Sequence, residues 1–346
     1  MAFKKSMSVL FVLALALIAL LSVQVVFAQD IGTEGNPIQV YFVPSVEASV
    51  IVSGGDVMAQ ALEQATGLKF EVSVPTSYAA TVEAMCASPS NSMGFIPAAG
   101  YVIANQRCGV EVGAAAVRFG WAYYWTQYLV RRDAEIYGFG DLNGKTWGYG
   151  DSGSTSGYIV PAVEMQAAGI TPGDKVETGG HPQTVLAVYN GDVEFGTTFY
   201  SPPLMPAGHA AWQIGDLPEP FDLSVDQSYV SEDGSKLMVG DFQILDARAN
   251  VRDTTPDVVD QVRILRLSAP IPNDTLSFGP DFPDDLRDQI INALIDFSHT
   301  DAWATSIGSN DFYGWSSLEP ISDSAYDPVR QRLQVLGMTE QDVFGG

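Results

Sequence analysis

The sequence predicts an α/β protein built as two domains. Two observations carry this. Strand-like and helix-like stretches alternate along most of the chain, which implies a largely parallel sheet flanked by helices. The part that follows an N-terminal leader, about 318 residues, is also too long for one ordinary core.

The leader comes first. Lys4 and Lys5 precede an apolar run from Val9 to Val26, broken only by Ser22 and Gln24, and Ala28 closes it. A positive start, an apolar centre and a small-residue cleavage site make residues 1–28 a secretory signal peptide. The run is near the lower limit for spanning a bilayer, so a retained N-terminal anchor is the alternative. No cysteine stands at the cleavage site to take a lipid, and no later segment is long and apolar enough to cross a membrane. The chain is therefore expected outside the cytoplasm.

Residues 36–43, "NPIQVYFV", alternate and are rich in β-formers, a strand ended by Pro44 and Ser45. A helix follows over 50–66, stopped by Gly67, then a strand "LKFEVSV", and a helix entered through Thr76 and Ser77 in "PTSYAATVEAMCA". "SMGFIP" reads as a third strand, and "YYWTQYLVRR" (123–132) as a long one ending in the turn "DLNGK". The strand "TWGYG" runs through a glycine-hydroxyl stretch into the helix "YIVPAVEMQAAG". Pro161 sits in its first turn, where a missing N–H costs little. "KVETGG", "QTVLAVYNG" and "VEFGTTFY" read as strand, helix and strand.

From Pro202 to Asp260 the chain is loop-rich. Residues 216–260 hold eleven acidic against three basic side chains, which reads as a solvated elaboration of the second half. "QVRILRLSAPIPND" returns as a strand. "PDDLRDQIINALIDFSH" is an amphipathic helix with Leu286, Ile290, Leu294 and Phe297 on one stripe.

The net charge is −24, or −26 once Lys4 and Lys5 are removed. Such a surface argues against nucleic acid and anionic membranes as partners. An anionic ligand would have to be held by a local arrangement working against the global field. The only cysteines, Cys86 and Cys108, lie 22 residues apart in an exported chain and are expected to form a disulfide; two buried free thiols are the alternative. Two cysteines and three scattered histidines lack zinc-type spacing, so neither a metal nor a cofactor is expected.

One stretch, "YGDSGSTSGY" (149–158), carries chemistry. A catalytic reading takes "GDSGS" as a serine nucleophile segment. All three histidines (181, 209, 299) lie downstream, against the chymotrypsin-like order; downstream His181 would suit an α/β-hydrolase, but "GSTSG" puts Thr155 where that nucleophile elbow needs serine. The other reading is an oxyanion cradle. A helix N-terminus offers unpaired N–H groups and partial positive charge, glycines admit close approach, and Ser154, Thr155 and Ser156 add hydroxyl donors.

The chain resembles the substrate-binding proteins of phosphate/phosphite/phosphonate ABC importers. The resemblance rests on "DLNGKTWGYGDSGSTSGYIVPAVEMQAAGI", "GGHPQTVLAVYNGDVEF", "SAPIPNDTLSFGPDFPDDLRDQIINAL" and, nearer the start, "TGLKFEVSVPTSYAATVEAM", in the family's order over most of 36–300. It implies a type II periplasmic-binding-protein fold: two lobes, each a mixed sheet flanked by helices, with the ligand in the cleft between them. The first lobe would comprise 31–130 and 268–346 and the second 131–267, with crossings near 128–132 and 264–270. The family's cradle falls on Ser154, Thr155 and Ser156, its histidine on His181, its first-lobe tyrosine on Tyr78 and its C-terminal aspartate on Asp274. Its remaining tyrosine falls on Tyr124, with Tyr123 as the alternative register.

The chain departs from the family in the length of 202–260 and in "FYS" at 199–201, which offers no carboxylate to an ammonium and leaves Asp274 as the one candidate for that role. The resemblance implies a monomer that catalyses nothing and works with an ABC permease and ATPase. Two rivals remain: a binding protein for another organic ligand, such as a sulfonate or a vitamin precursor, and a secreted serine hydrolase.

Overall fold

The computed structural model describes residues 30–335 and Gly337, so the leader read at 1–28 lies outside the described residues. The chain opens with β1 (Ile38–Phe42), α1 (Ala48–Thr66), β2 (Phe70–Ser73), α2 (Tyr78–Ala87), β3 (Ser92–Ile96), α3 (Ala98–Cys108) and β4 (Glu111–Arg118). Gly67 ends α1 with φ 76°, a left-handed cap that glycine takes without strain. Ser77 caps α2 by accepting from the Ala80 N–H. Cys86 and Cys108 are bonded, tying the end of α2 to the end of α3.

After a tight turn come β5 (Tyr123–Arg131), β6 (Trp147–Tyr149), α4 (Val160–Ala167), β7 (Lys175–Glu177), α5 (His181–Asn190) and β8 (Phe195–Tyr200). Three short strands follow: β9 (Ser228–Val230), β10 (Leu237–Val239) and β11 (Phe242–Ile244). The chain closes with α6 (Val258–Gln261), β12 (Val262–Leu267), β13 (Ile271–Pro272), β14 (Thr275–Phe278), α7 (Asp284–Ser298), β15 (Trp315–Pro320) and α8 (Asp327–Val335).

Two mixed sheets of six strands make the two lobes. The first runs β15-β4-β14-β3-β1-β2, with β1 parallel to β2 and β3 and the other pairs antiparallel. The second runs β12-β5-β8-β6-β7, with β13 added to β5. The first core stacks Phe42 on Phe95 (4.6 Å), which meets Trp315 edge-on. The second gathers Tyr128, Trp147, Met165 and Phe195. Each such side chain contributes roughly 1.5–3 kcal/mol by leaving water.

The strand expected to carry the first crossing, β5, hydrogen-bonds within the second sheet along its length. The passage between sheets is made instead by Arg118-Phe119-Gly120-Trp121. This is a two-residue turn closed by Arg118 N to Trp121 O (3.0 Å) and Trp121 N to Arg118 O (2.9 Å). Both central residues are left-handed, Phe119 at φ 50° and Gly120 at φ 81°, as a type I′ turn requires. The return runs between β12 and β14. There Asn273 Nδ2 donates to the carbonyls of Ala116 (2.8 Å) and Trp121 (2.7 Å), and the Ala116 N–H donates to the Asp274 carbonyl (2.9 Å).

The acidic segment 202–260 is more than solvated loop. It folds β9, β10 and β11 into a third, antiparallel sheet. It also buries an ion network: Arg248, 0% exposed, pairs with Asp246 (2.9 Å) and with Glu219, and Glu219 also takes Arg132 of the second lobe (2.9 Å). Trp212 packs between Trp121 (5.7 Å) and Trp125 (5.3 Å), roofing the crossing turn. Composition hid this because part of the acidity neutralises buried arginines.

Candidate ligand-binding site

The two lobes close on a cavity of about 30 Å³, small beside the ~300–1,000 Å³ that take drug-sized ligands. From the first lobe and the crossings come Ser45, Tyr78, Pro97, Arg118, Asp274 and Tyr313. From the second come Tyr124, Ser154, Ser156, His181 and Phe199. A larger groove, about 530 Å³, beside Trp147 and Lys175 is lined by Gly337 and otherwise by residues of the second lobe, and includes none of the residues expected at the site.

Helix starts surround the cavity. Tyr78 is the first residue of α2, Pro97 directly precedes α3, and His181 is the first residue of α5. Ser154 caps the π-turn Thr155–Ile159 that opens α4, accepting from the Gly157 N–H at 3.1 Å. The turn has a local cause. Pro161 has no N–H for the Gly157 carbonyl, and the Thr197 hydroxyl donates to that carbonyl instead. Four partial positive charges thus converge on one small space. At Gly150 a side chain would meet the Gly180 backbone at 2.9 Å, so glycine lets the cradle loop lie against the loop that leads into His181.

Six of the seven residues expected at the site line the cavity: Tyr78, Tyr124, Ser154, Ser156, His181 and Asp274. Tyr124 is 4% exposed and points inward, whereas Tyr123 is 47% exposed. The seventh, Thr155, is buried elsewhere. Its hydroxyl oxygen accepts from the Ala99 N–H of the first lobe at 3.0 Å. More bonds join the lobes: Tyr78 N to Asp151 Oδ2 (3.3 Å), Gln183 Nε2 to Glu47 Oε1 (2.7 Å), and Arg252 Nη1 to Asp311 Oδ1 (2.7 Å). The structure is the closed form.

Burial holds His181 neutral. Desolvation, aided by the Arg118 charge, pushes its pKa down to about 3, and its Nδ1 is buried with no partner. Burial raises the Asp274 carboxyl above the usual range, and the Arg118 guanidinium opposes the rise. Desolvation also raises Tyr78 and Tyr124, so both keep their hydroxyl protons to donate. Of the "FYS" triplet only Phe199 faces the cavity. Tyr200, on the opposite face of β8, donates to the Pro218 carbonyl (3.0 Å). Along with Phe199, the apolar wall comprises Val43, Val46, Pro97 and Phe312.

Sequence reasoning missed Arg118. It is 9% exposed and lines the cavity, with its guanidinium carbon 4.8 Å from the centre of the Phe199 ring. The available signal was one basic residue inside "GAAAVRFGWAYYW", in a chain with only 17 Lys and Arg.

Residues 40–326 match the family model described as "ABC transporter, phosphonate, periplasmic substrate-binding protein". Over 187 residues, 49% of this chain, the sequence is 31% identical to the phosphate-import protein PhnD of Mycolicibacterium smegmatis; the match spans 58% of that protein's length. It is 20% identical over 279 residues, 79% of this chain and 68% of the relative, to the phosphonates-binding periplasmic protein of Escherichia coli.

Among solved structures, PhnD1 of Prochlorococcus marinus in complex with methylphosphonate superposes with TM-score 0.64 at 12% identity, covering 87% of this chain and 98% of that one. A binding protein component of an ABC phosphonate transporter from Pseudomonas aeruginosa gives 0.61 at 18% identity, covering 86% and 85%. These two matches show a shared two-lobed fold. With the family model running over nearly all of both lobes, this chain belongs to the periplasmic substrate-binding proteins of phosphonate ABC transporters.

Proposed function

We propose that the chain is an extracytoplasmic solute-binding protein. It captures one small phosphonate, phosphite or phosphate-like anion between its lobes and presents it to an ABC permease and ATPase. The observation that carries this is the closed cavity itself: four helix starts, two serine hydroxyls, two protonated tyrosines and a neutral histidine around about 30 Å³. Tetrahedral oxyanions bind such donor sets, and contacts to both lobes favour the closed state by differential affinity. Tyr78, Tyr124, Ser154, Ser156, His181 and Asp274 are the proposed contacts, with Thr155 acting through closure.

A serine hydrolase would need its histidine held at Nδ1 by a carboxylate, and His181 Nδ1 has no such partner. A thermal-shift series separates the ligand classes. Methylphosphonate, phosphite or phosphate should raise Tm in a concentration-dependent way while methanesulfonate does not. A shift with the sulfonate alone would overturn the reading.

A further inference from the structure

We propose that Arg118 is the charge-selecting residue of this site: its guanidinium meets an oxyanion in the closed cavity and turns away ligands that carry an ammonium. The inference rests on the reading above and deepens it by naming the ligand's charge class.

Three observations support it. First, Arg118 is 9% exposed and lines the cavity, yet its Nε has no hydrogen-bond partner, and among the described residues no carboxylate forms an ion pair with it. A guanidinium carries five N–H donors; Asp274 across the same cavity partly offsets its charge without bonding its Nε, and that unpaired donor is free to take an oxygen of an anionic ligand. Second, the guanidinium is held in place. It lies over the Phe199 ring of the second lobe, while its own backbone closes the Arg118–Trp121 turn between the lobes.

Third, Arg118 is the one cation among the residues that line the cavity, and burial pushes the carboxyl that shares it, Asp274, toward its neutral form. His181 is neutral, Tyr78 and Tyr124 are protonated donors, and Asp274 is the one carboxylate lining the cavity. Hydroxyl and backbone donors recognise any tetrahedral oxyanion, so they do not separate methylphosphonate from aminoethylphosphonate. A fixed cation among apolar walls does, because the amine's charge would sit beside a like charge with little water to screen it.

The test measures calorimetric Kd values for methylphosphonate, phosphate and aminoethylphosphonate on wild type, Arg118→Gln and Arg118→Lys. Arg118→Gln should weaken methylphosphonate and phosphate about ten- to a hundredfold, the worth of a hydrogen bond to a charged group. The same change should leave aminoethylphosphonate unchanged or improved, so the preference between ligands collapses. Arg118→Lys restores the charge without the fork and should recover part of both the affinity and the preference.

Equal weakening of all three ligands in Arg118→Gln would mean that Arg118 serves only the shared oxyanion or the fold, and would overturn the proposed charge selection. Unchanged Kd values would do the same. Should Arg118→Gln fail to fold, Arg118→Lys decides: loss of the wild-type preference with the charge retained contradicts the proposal. If wild type binds none of the three, the solute-binding reading itself falls along with this one.

Discussion

Thr155→Ala separates closing the cleft from touching the ligand. In the closed form the Thr155 hydroxyl oxygen accepts from the Ala99 N–H at 3.0 Å, and both residues are fully buried. Removing the hydroxyl leaves a buried N–H with no partner, which costs about 1–3 kcal/mol. When the lobes part, water takes that N–H, so the penalty falls on the closed state alone. Closed-state affinity should drop by the same free energy, raising Kd about 5- to 150-fold. The loss should appear as faster release rather than slower capture, because ligand meets the open form first.

Stopped-flow measurement of both rate constants, with Tm of the ligand-free protein as a control, tests this. The expectation is koff up, kon nearly constant and ligand-free Tm lowered only slightly. Thr155→Ser keeps the oxygen and should behave like wild type. Wild-type koff in Thr155→Ala would refute the latch.

Other outcomes follow from the same geometry. Ser156→Ala removes a cavity-lining hydroxyl and should weaken oxyanion binding by about 1.5–3 kcal/mol in calorimetry, with little change in folding. Arg252→Ala breaks the interlobe pair with Asp311, which is half exposed, so affinity should fall by no more than about 1 kcal/mol, and less at high salt. Reducing Cys86–Cys108 opens a loop of 22 residues and should cost about 3 kcal/mol on the loop-entropy account, read in denaturant unfolding.

His181 sets a pH dependence. Its folded pKa, about 3, lies below the ordinary 6.5, so the unfolded chain binds the proton first and stability falls as pH drops from 6.5 toward 3. Replacing it with Asn should flatten the stability–pH curve in that window by up to about 1.4 kcal/mol per pH unit relative to wild type. An identical slope in both proteins would contradict the neutral histidine.

How much of this was legible in the sequence depended on local signals. Strand β1, helix α1 with its Gly67 stop, the Ser77 cap and the stripe of α7 all follow from periodicity and capping, and each stands where those patterns put it. Helix α3 and strand β4 escaped. "AAGYVIANQRC" is buried along most of its length and so has little amphipathic pattern, while "EVGAAAVR" is rich in alanine, a poor strand former whose fitness comes from neighbours on both sides. The three-stranded sheet in 202–260 was hidden by acidity, since sequence alone does not say which carboxylates face buried arginines. At the site, the hydroxyl run and "GGH" could be read because short motifs held them together. Arg118 reaches the cavity only through the turn between lobes, a tertiary fact with no local signature.

The central claim is that the closed cavity holds one small phosphorus oxyanion with little attached to it. The most direct measurement is calorimetric titration of the protein lacking residues 1–28 with phosphate, phosphite, methylphosphonate and aminoethylphosphonate under one buffer and salt condition. The account predicts one site per chain, with at least one of the three amine-free anions bound clearly more tightly than aminoethylphosphonate. Tightest binding of aminoethylphosphonate, or no heat with any of the four, would contradict it.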